Sequence, residues 1–196
     1  MRVFFALPLS PSISLQILHW RDKAFPRNIV GIAAENFHIT LSFVGEVTSA
    51  QCDQIMQSAN DLWQNKKPKT LSLAIDQYAY WPNPGIFWIG PTIWPEPLQV
   101  LHSNLKQLSQ RCVGRSAKQP FQPHISLYRT KESIPQPLIA PDFQLTFDEV
   151  VLLESVTKKQ GVYYRELAEW PLEQAFRQST EAMSRPMPKK NLGGGT

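Results

Sequence analysis

Two tetrapeptides of this 196-residue chain carry the side chains best able to do chemistry: His38-Ile39-Thr40-Leu41 and His124-Ile125-Ser126-Leu127. Each is a histidine, an isoleucine, a hydroxyl residue and a leucine, and each opens a segment whose apolar and polar residues alternate, the period-2 signature of a strand with one face in a core. In "NFHITLSFVG", Phe37, Ile39, Leu41 and Phe43 are expected inward, with His38, Thr40 and Ser42 outward. Histidine and hydroxyl then share a strand face, their Cβ atoms roughly 7 Å apart. Imidazole titrates near neutrality and serves as acid or base. If the two strands face one cleft, a neutral and a protonated imidazole form the pair that in-line displacement at phosphorus needs, a base for the attacking oxygen and an acid for the leaving one. The hydroxyls of Thr40 and Ser126 would hydrogen-bond the non-bridging oxygens. That chemistry calls for no metal or other cofactor. One H-x-[ST]-L alone says little, because a lone strand histidine is commonly structural; the matched pair is the signal.

The elements that must position these residues follow from capping and periodicity. A strand over Arg2–Leu7 leads to "SPSISLQILHWRD", where Ser10 caps a helix with proline at its first position. After the first motif, "GEVTSAQCDQIMQSANDLWQN" reads as a helix capped by Thr48 or Ser49. Residues Thr70–Gly90 read as a hairpin around "PNPG", and Pro97–Cys112 as a helix with Leu98, Leu101, Leu105 and Leu108 on one face. After the second motif, "FQLTFDEVVLLESV" and "VYYRELAEW" form two closing strands joined by "TKKQG". A helix, a histidine strand and hairpin-like strands thus recur, which suggests an α+β fold duplicated about a pseudo-twofold axis. A single domain over residues 1–175 is expected, with 176–196 a disordered tail that lacks periodicity.

The formal charge of +4 is misleading as a sign of nucleic-acid binding. The tail holds Arg177, Arg185, Lys189 and Lys190 against Glu181, a net +3, which leaves 4 − 3 = +1 for residues 1–175. An anion must therefore be held by a local site and not by a broad basic surface. Cys52 and Cys112 fit neither a disulfide framework nor a metal pair, so two free thiols in a reducing cytoplasm are expected. "MRVFFALPL" resembles a short signal peptide, yet the early Pro8 and Ser10 favour a first strand. No run approaches the roughly 20 apolar residues that cross a bilayer, so no membrane partner is expected. Zinc, P-loop and G-x-S-x-G motifs are missing from the sequence.

The paired motifs resemble the two-histidine (2H) phosphoesterase superfamily, in particular its LigT-like branch of RNA 2′,3′-cyclic phosphodiesterases, also called 2′-5′ RNA ligases. "RVFFALPL", "ENFHITLSFVGEV", "PHISLYR" and "LLESVTKKQGVYYRELAEWPL" extend the likeness over residues 1–172. The resemblance implies two lobes, each an antiparallel sheet with flanking helices, around a central cleft. It implies hydrolysis of a 2′,3′-cyclic phosphate to a 2′-phosphomonoester, with reversible 2′-5′ ligation in some members. His124 would be the base that activates water and His38 the acid that protonates the 3′ oxygen, or the reverse. Partners would be RNA ends or small nucleotides, bound by a monomer.

Arg129 matches a basic position of this branch and would pair with phosphate oxygens, although strict alternation puts it on the face opposite His124. Arg27 stands as a displaced counterpart of an Arg-Trp pair that often precedes the first motif. Phe5 matches an aromatic set against the substrate base; a core role is the competing reading. Tyr78, Tyr80, Trp81, Phe87 and Trp88 suit core or rim packing better than base stacking, and Arg111, Arg115 and Lys118 a solvated loop. His19 and His102 read as surface or helix-packing residues. Two further functions fit the same residues: a non-catalytic nucleotide- or RNA-binding module, and a phosphodiesterase acting on small cyclic nucleotides or 2′-5′ oligoadenylates.

Overall fold

The computed structural model describes residues 1–25, 29–114, 120–131, 134–159 and 161–173. The expected tail, Arg27, Arg115 and Lys118 lie outside the described residues. In chain order the elements are β1 (Arg2–Pro8), α1 (Pro11–Ala24), β2 (His38–Glu46), α2 (Ser49–Asn65), β3 (Leu71–Ile75), β4 (Gln77–Trp81), β5 (Ile86–Gly90), α3 (Glu96–Val113), β6 (Ile125–Arg129), β7 (Phe143–Phe147), β8 (Glu149–Lys158) and β9 (Gly161–Pro171).

Local signals set the helices. Ser10 Oγ accepts from Ile13 N at the start of α1. Thr48, not Ser49, caps α2 through a reciprocal capping box with Gln51, a device that stabilises a helix by about 1 kcal/mol. Gly114 ends α3 in the left-handed region, φ 69°, where a Cβ would be strained. Leu98, Leu101, Leu105 and Leu108 of α3 are buried as their spacing predicts, each stabilising the fold by roughly 1.5–3 kcal/mol.

An antiparallel sheet of order β2-β1-β8-β9 carries the first motif, and one of order β4-β5-β6 leads into the second. A two-stranded ribbon, β3-β7, accompanies them. The hairpin expected around "PNPG" is present as β4 and β5, but its first strand is shorter than the expected Thr70–Gly90 span: "LSLAIDQYAYW" breaks at Asp76 into β3 and β4, which belong to different sheets. Asp76 turns the chain by accepting from Thr92 N at 2.6 Å through Oδ1 while its N–H donates to Gly90 O. "FQLTFDEVVLLESV" breaks in the same way at Asp148, so that β7 joins the ribbon and β8 pairs with β1.

The helices exchange partners. α3, which precedes the second motif, packs on β2 of the first. α1, which precedes the first motif, ends at Phe25, whose ring meets Phe87 of β5 and Tyr128 of β6 edge-on at 5.0 and 5.3 Å. One continuous core joins the two sheets, with Leu7, Ile39 and Leu41 from one side and Ile89, Ile125 and Leu127 from the other.

Candidate active site

The two motif strands share a departure from regular pairing. Along β1 and β2, Phe5 faces Ser42 and Ala6 faces Thr40, so Leu41 has no opposite residue. Along β5 and β6, Phe87 faces Tyr128 and Trp88 faces Ser126, so Leu127 has none. A bulge therefore sits on the leucine of each H-x-[ST]-L, and a bulge reverses the in/out alternation beyond it. Leu41 and Ser42 are both buried, as are Leu127 and Tyr128. Phe43, expected inward, is 48% exposed on the side of His38 and Thr40, which corrects the alternation reading. Arg129, the residue at the same offset from His124, is exposed, and the bulge at Leu127 assigns it by parity to the side of Ser126 and not to the opposite face.

Both imidazoles are oriented by the same contact. His38 Nδ1–H donates to Asn36 O and His124 Nδ1–H donates to Gln122 O, each at 2.8 Å. Because a carbonyl only accepts, Nδ1 carries the proton in the neutral ring and Nε2 holds the reactive lone pair. Thr40 Oγ1–H donates to His38 Nε2 at 3.1 Å. Ser126, half-buried, stands on the same face as His124. Each ring is walled by two aromatics: Phe4 and Tyr164 lie 5.1 and 4.9 Å from His38, and Trp81 and Trp88 lie 4.6 and 5.9 Å from His124.

Burial among these rings favours the neutral imidazoles. It lowers His38 from 6.5 to about 4, partly opposed by the bond to Asn36 O and reinforced by the charge of His124. His124 is lowered by the same desolvation, opposed by its bond to Gln122 O. The charge of His124 is among the causes that lower His38, so a proton on His124 disfavours one on His38. Tyr164 links the sides further: burial raises its phenol, and Arg129 from β6 is the first of the charges that lower it.

Comparison with known proteins agrees with this geometry. The family model for the 2′-5′ RNA ligase superfamily matches residues 9–159. An RNA 2′,3′-cyclic phosphodiesterase of Escherichia coli is 30% identical over 175 residues, 88% of this chain and 97% of that one. The crystal structure of E. coli LigT in apo form superposes with a TM-score of 0.77 at 30% identity, over 88% of this chain and 98% of that chain. Its complex with 3′-AMP gives 0.74 at 30% identity over 87% and 97%. The chain belongs to the 2′-5′ RNA ligase superfamily.

Within this superfamily member, several side chains stand elsewhere than their spacing suggested. Phe5 is a core residue, fully buried and packed on Trp170 at 5.7 Å, so the base-contact expectation for it is corrected. Its neighbour Phe4 is the residue against His38, because β1 alternates and both of its faces are covered. The aromatic hairpin divides: Tyr78 stacks on Phe87 toward the core, whereas Trp81 and Trp88 wall His124. Tyr164 carries no local signal of this role, because it lies far along the chain from the first motif; Asn36 Nδ2 donates to Val162 O, two residues before it, at 2.8 Å. His19 is exposed on α1, and Arg111 is exposed on the last turn of α3. His102 does more than pack a helix, donating from Nδ1 to Leu41 O at 2.6 Å.

Proposed function

We propose that the chain is an RNA 2′,3′-cyclic phosphodiesterase that needs no metal ion and leaves a 2′-phosphomonoester. The observation that carries this reading is the pair of equivalent imidazoles, each with Nδ1–H tied to a carbonyl two residues upstream, which leaves the Nε2 lone pair as the atom for proton transfer, on His38 beside the Thr40 hydroxyl. Membership of the superfamily and the activity of the E. coli relative support it. So does the ability of that relative's fold to hold 3′-AMP.

His124 Nε2 takes a proton from water as the water oxygen bonds to phosphorus. The bond from phosphorus to O3′ breaks on the opposite side, and protonated His38 delivers its proton to O3′. Thr40, Ser126 and Arg129 hold the non-bridging oxygens, whose charge grows in the transition state. Both free imidazoles sit below 6.5, so the acid becomes protonated when the anionic phosphate arrives between them. With an RNA 5′-hydroxyl in place of water, the same step joins a 2′-5′ bond, and run backwards, with O3′ attacking phosphorus and the 5′-hydroxyl leaving, it cleaves that bond. One chain supplies both histidines, which suits a monomer, and the two free thiols, Cys52 and Cys112, suit the cytoplasm. No helix among the described residues is long and apolar enough to cross a membrane.

The test is to offer RNA ending in a 2′,3′-cyclic phosphate, in EDTA, and to locate phosphorus in the product by 31P NMR. A 2′-phosphomonoester formed at undiminished rate is expected. A 3′-phosphomonoester, or loss of turnover on chelation, contradicts the reading. Tight binding of the cyclic end with no product would make the protein a binding module instead.

A further inference from the structure

We infer that His102 and Arg21 are positioning residues that clamp the two motif strands to each other, each reaching from the helix of one half to the bulge carbonyl of the other half. The inference rests on the proposed two-histidine chemistry for its kinetic consequence, though not for its geometry.

A bulge leaves the extra residue outside the ladder, and its carbonyl needs another donor. Leu41 O in the first motif accepts from His102 Nδ1 at 2.6 Å. Leu127 O in the second accepts from Ile32 N at 2.8 Å and from Arg21 Nη1 at 3.5 Å. His102 belongs to α3, which precedes the second motif, and Arg21 to α1, which precedes the first. Both contacts are therefore crossed between halves.

Each clamp also holds the approach to the other histidine. The His102 ring stacks face to face on Phe121, centroids 4.0 Å apart and 12° from parallel. Phe121 adjoins Gln122, whose carbonyl fixes His124. The Arg21 guanidinium lies 5.8 Å from the ring of Phe37, next to His38, and 5.4 Å from that of Tyr128, next to Leu127. Arg21 Nη1 further donates to Ile32 O at 2.5 Å, on the segment that leads into the first motif. Arg21 is buried, and a Cβ on Gly31 would run into its guanidinium. The two side chains thus make a similar arrangement in the two halves: a bond to one bulge carbonyl and a contact with an aromatic ring close in sequence to the opposite histidine. Such a device sets the distance and angle between the imidazoles, to which a displacement on phosphorus is acutely sensitive.

The donor and the ring of His102 can be separated by substitution. His102→Phe keeps a ring for Phe121 and loses the donor to Leu41 O; His102→Asn keeps an amide donor near the Nδ1 position and loses the ring. With a 2′,3′-cyclic phosphate RNA, His102→Phe should lower kcat by about ten-fold with KM within about two-fold, because the lost bond misplaces groups used in the transition state. His102→Asn should recover most of that loss. Wild-type kcat in His102→Phe overturns the proposal, whatever its melting temperature. Equal kcat losses in both variants, tracking equal drops in Tm, also overturn it and leave a role in stability alone. The imidazole 15N resonances of His38, read without substrate, keep the outcome separate from the functional reading: they should move in His102→Phe and return in His102→Asn even if the wild type turns over no cyclic phosphate. Unmoved resonances in both variants contradict the clamp on their own. Arg21→Met is the matching variant for the second motif, but its burial makes His102 the decisive position.

Discussion

Replacing either His38 or His124 with alanine should lower kcat on a 2′,3′-cyclic phosphate RNA by about 10²–10⁴-fold, the span an acid or base contributes to such a step. Neither ring has a structural task large enough to mimic that loss by unfolding. Each makes one backbone hydrogen bond, and both are desolvated, which disfavours the charged form in the folded state. The check is steady-state kinetics at saturating substrate beside a thermal melt. A loss of kcat with a Tm close to wild type is the expected pair of results. Full activity in either variant would remove that imidazole from the reaction. The two losses need not be equal, since the leaving 3′ oxygen and the attacking water place different demands on the acid and the base.

The second large effect belongs to Arg129. The bulge at Leu127 assigns this side chain by parity to the side of Ser126, and its charge acts on Tyr164 beside His38. An exposed guanidinium so placed presents a planar fork to phosphate oxygens. Arg129→Met should cut kcat/KM by about 10²-fold, the order seen when one donor to a developing oxyanion is removed. Arg129→Lys should restore only part, because an ammonium keeps the charge without the two-pronged geometry. Measuring kcat/KM for both variants on the same RNA checks this. Equal rates for wild type and Arg129→Met would leave the arginine a surface residue.

The repeated H-x-[ST]-L was legible because it combines two patterns visible without coordinates: strand alternation, which put His38 with Thr40, and recurrence, which lifted a weak motif into a pair. The helices were legible for the same kind of reason, since Thr48, Gln51 and the leucines of α3 act over three or four residues. The bulges were not. Inserting one residue into a ladder leaves the local composition unchanged, so Phe43 and Arg129 were assigned faces by a parity that Leu41 and Leu127 interrupt. A hint was available in "LSF", where a polar Ser42 lies inside and an aromatic Phe43 outside.

The breaks at Asp76 and Asp148 were hidden in runs that alternate without pause, because the change of sheet is decided by partners far along the chain. Tyr164 reached the site only through the order β2-β1-β8-β9, which places the end of the described chain beside its beginning. Between Phe4 and Phe5, alternation alone offered no choice. β1 is an interior strand with both faces covered, and only its register with β2 and β8 shows that Phe4 faces His38.

A pH titration of the two imidazoles by 15N NMR, with and without inorganic phosphate, most directly probes whether they serve one phosphorus atom. Free protein should show both midpoints below 6.5, His38 near 4. Added phosphate should raise both, with the two rings reporting a single common Kd. Movement of one ring alone, or two binding curves with different midpoints, would show that His38 and His124 do not share a substrate.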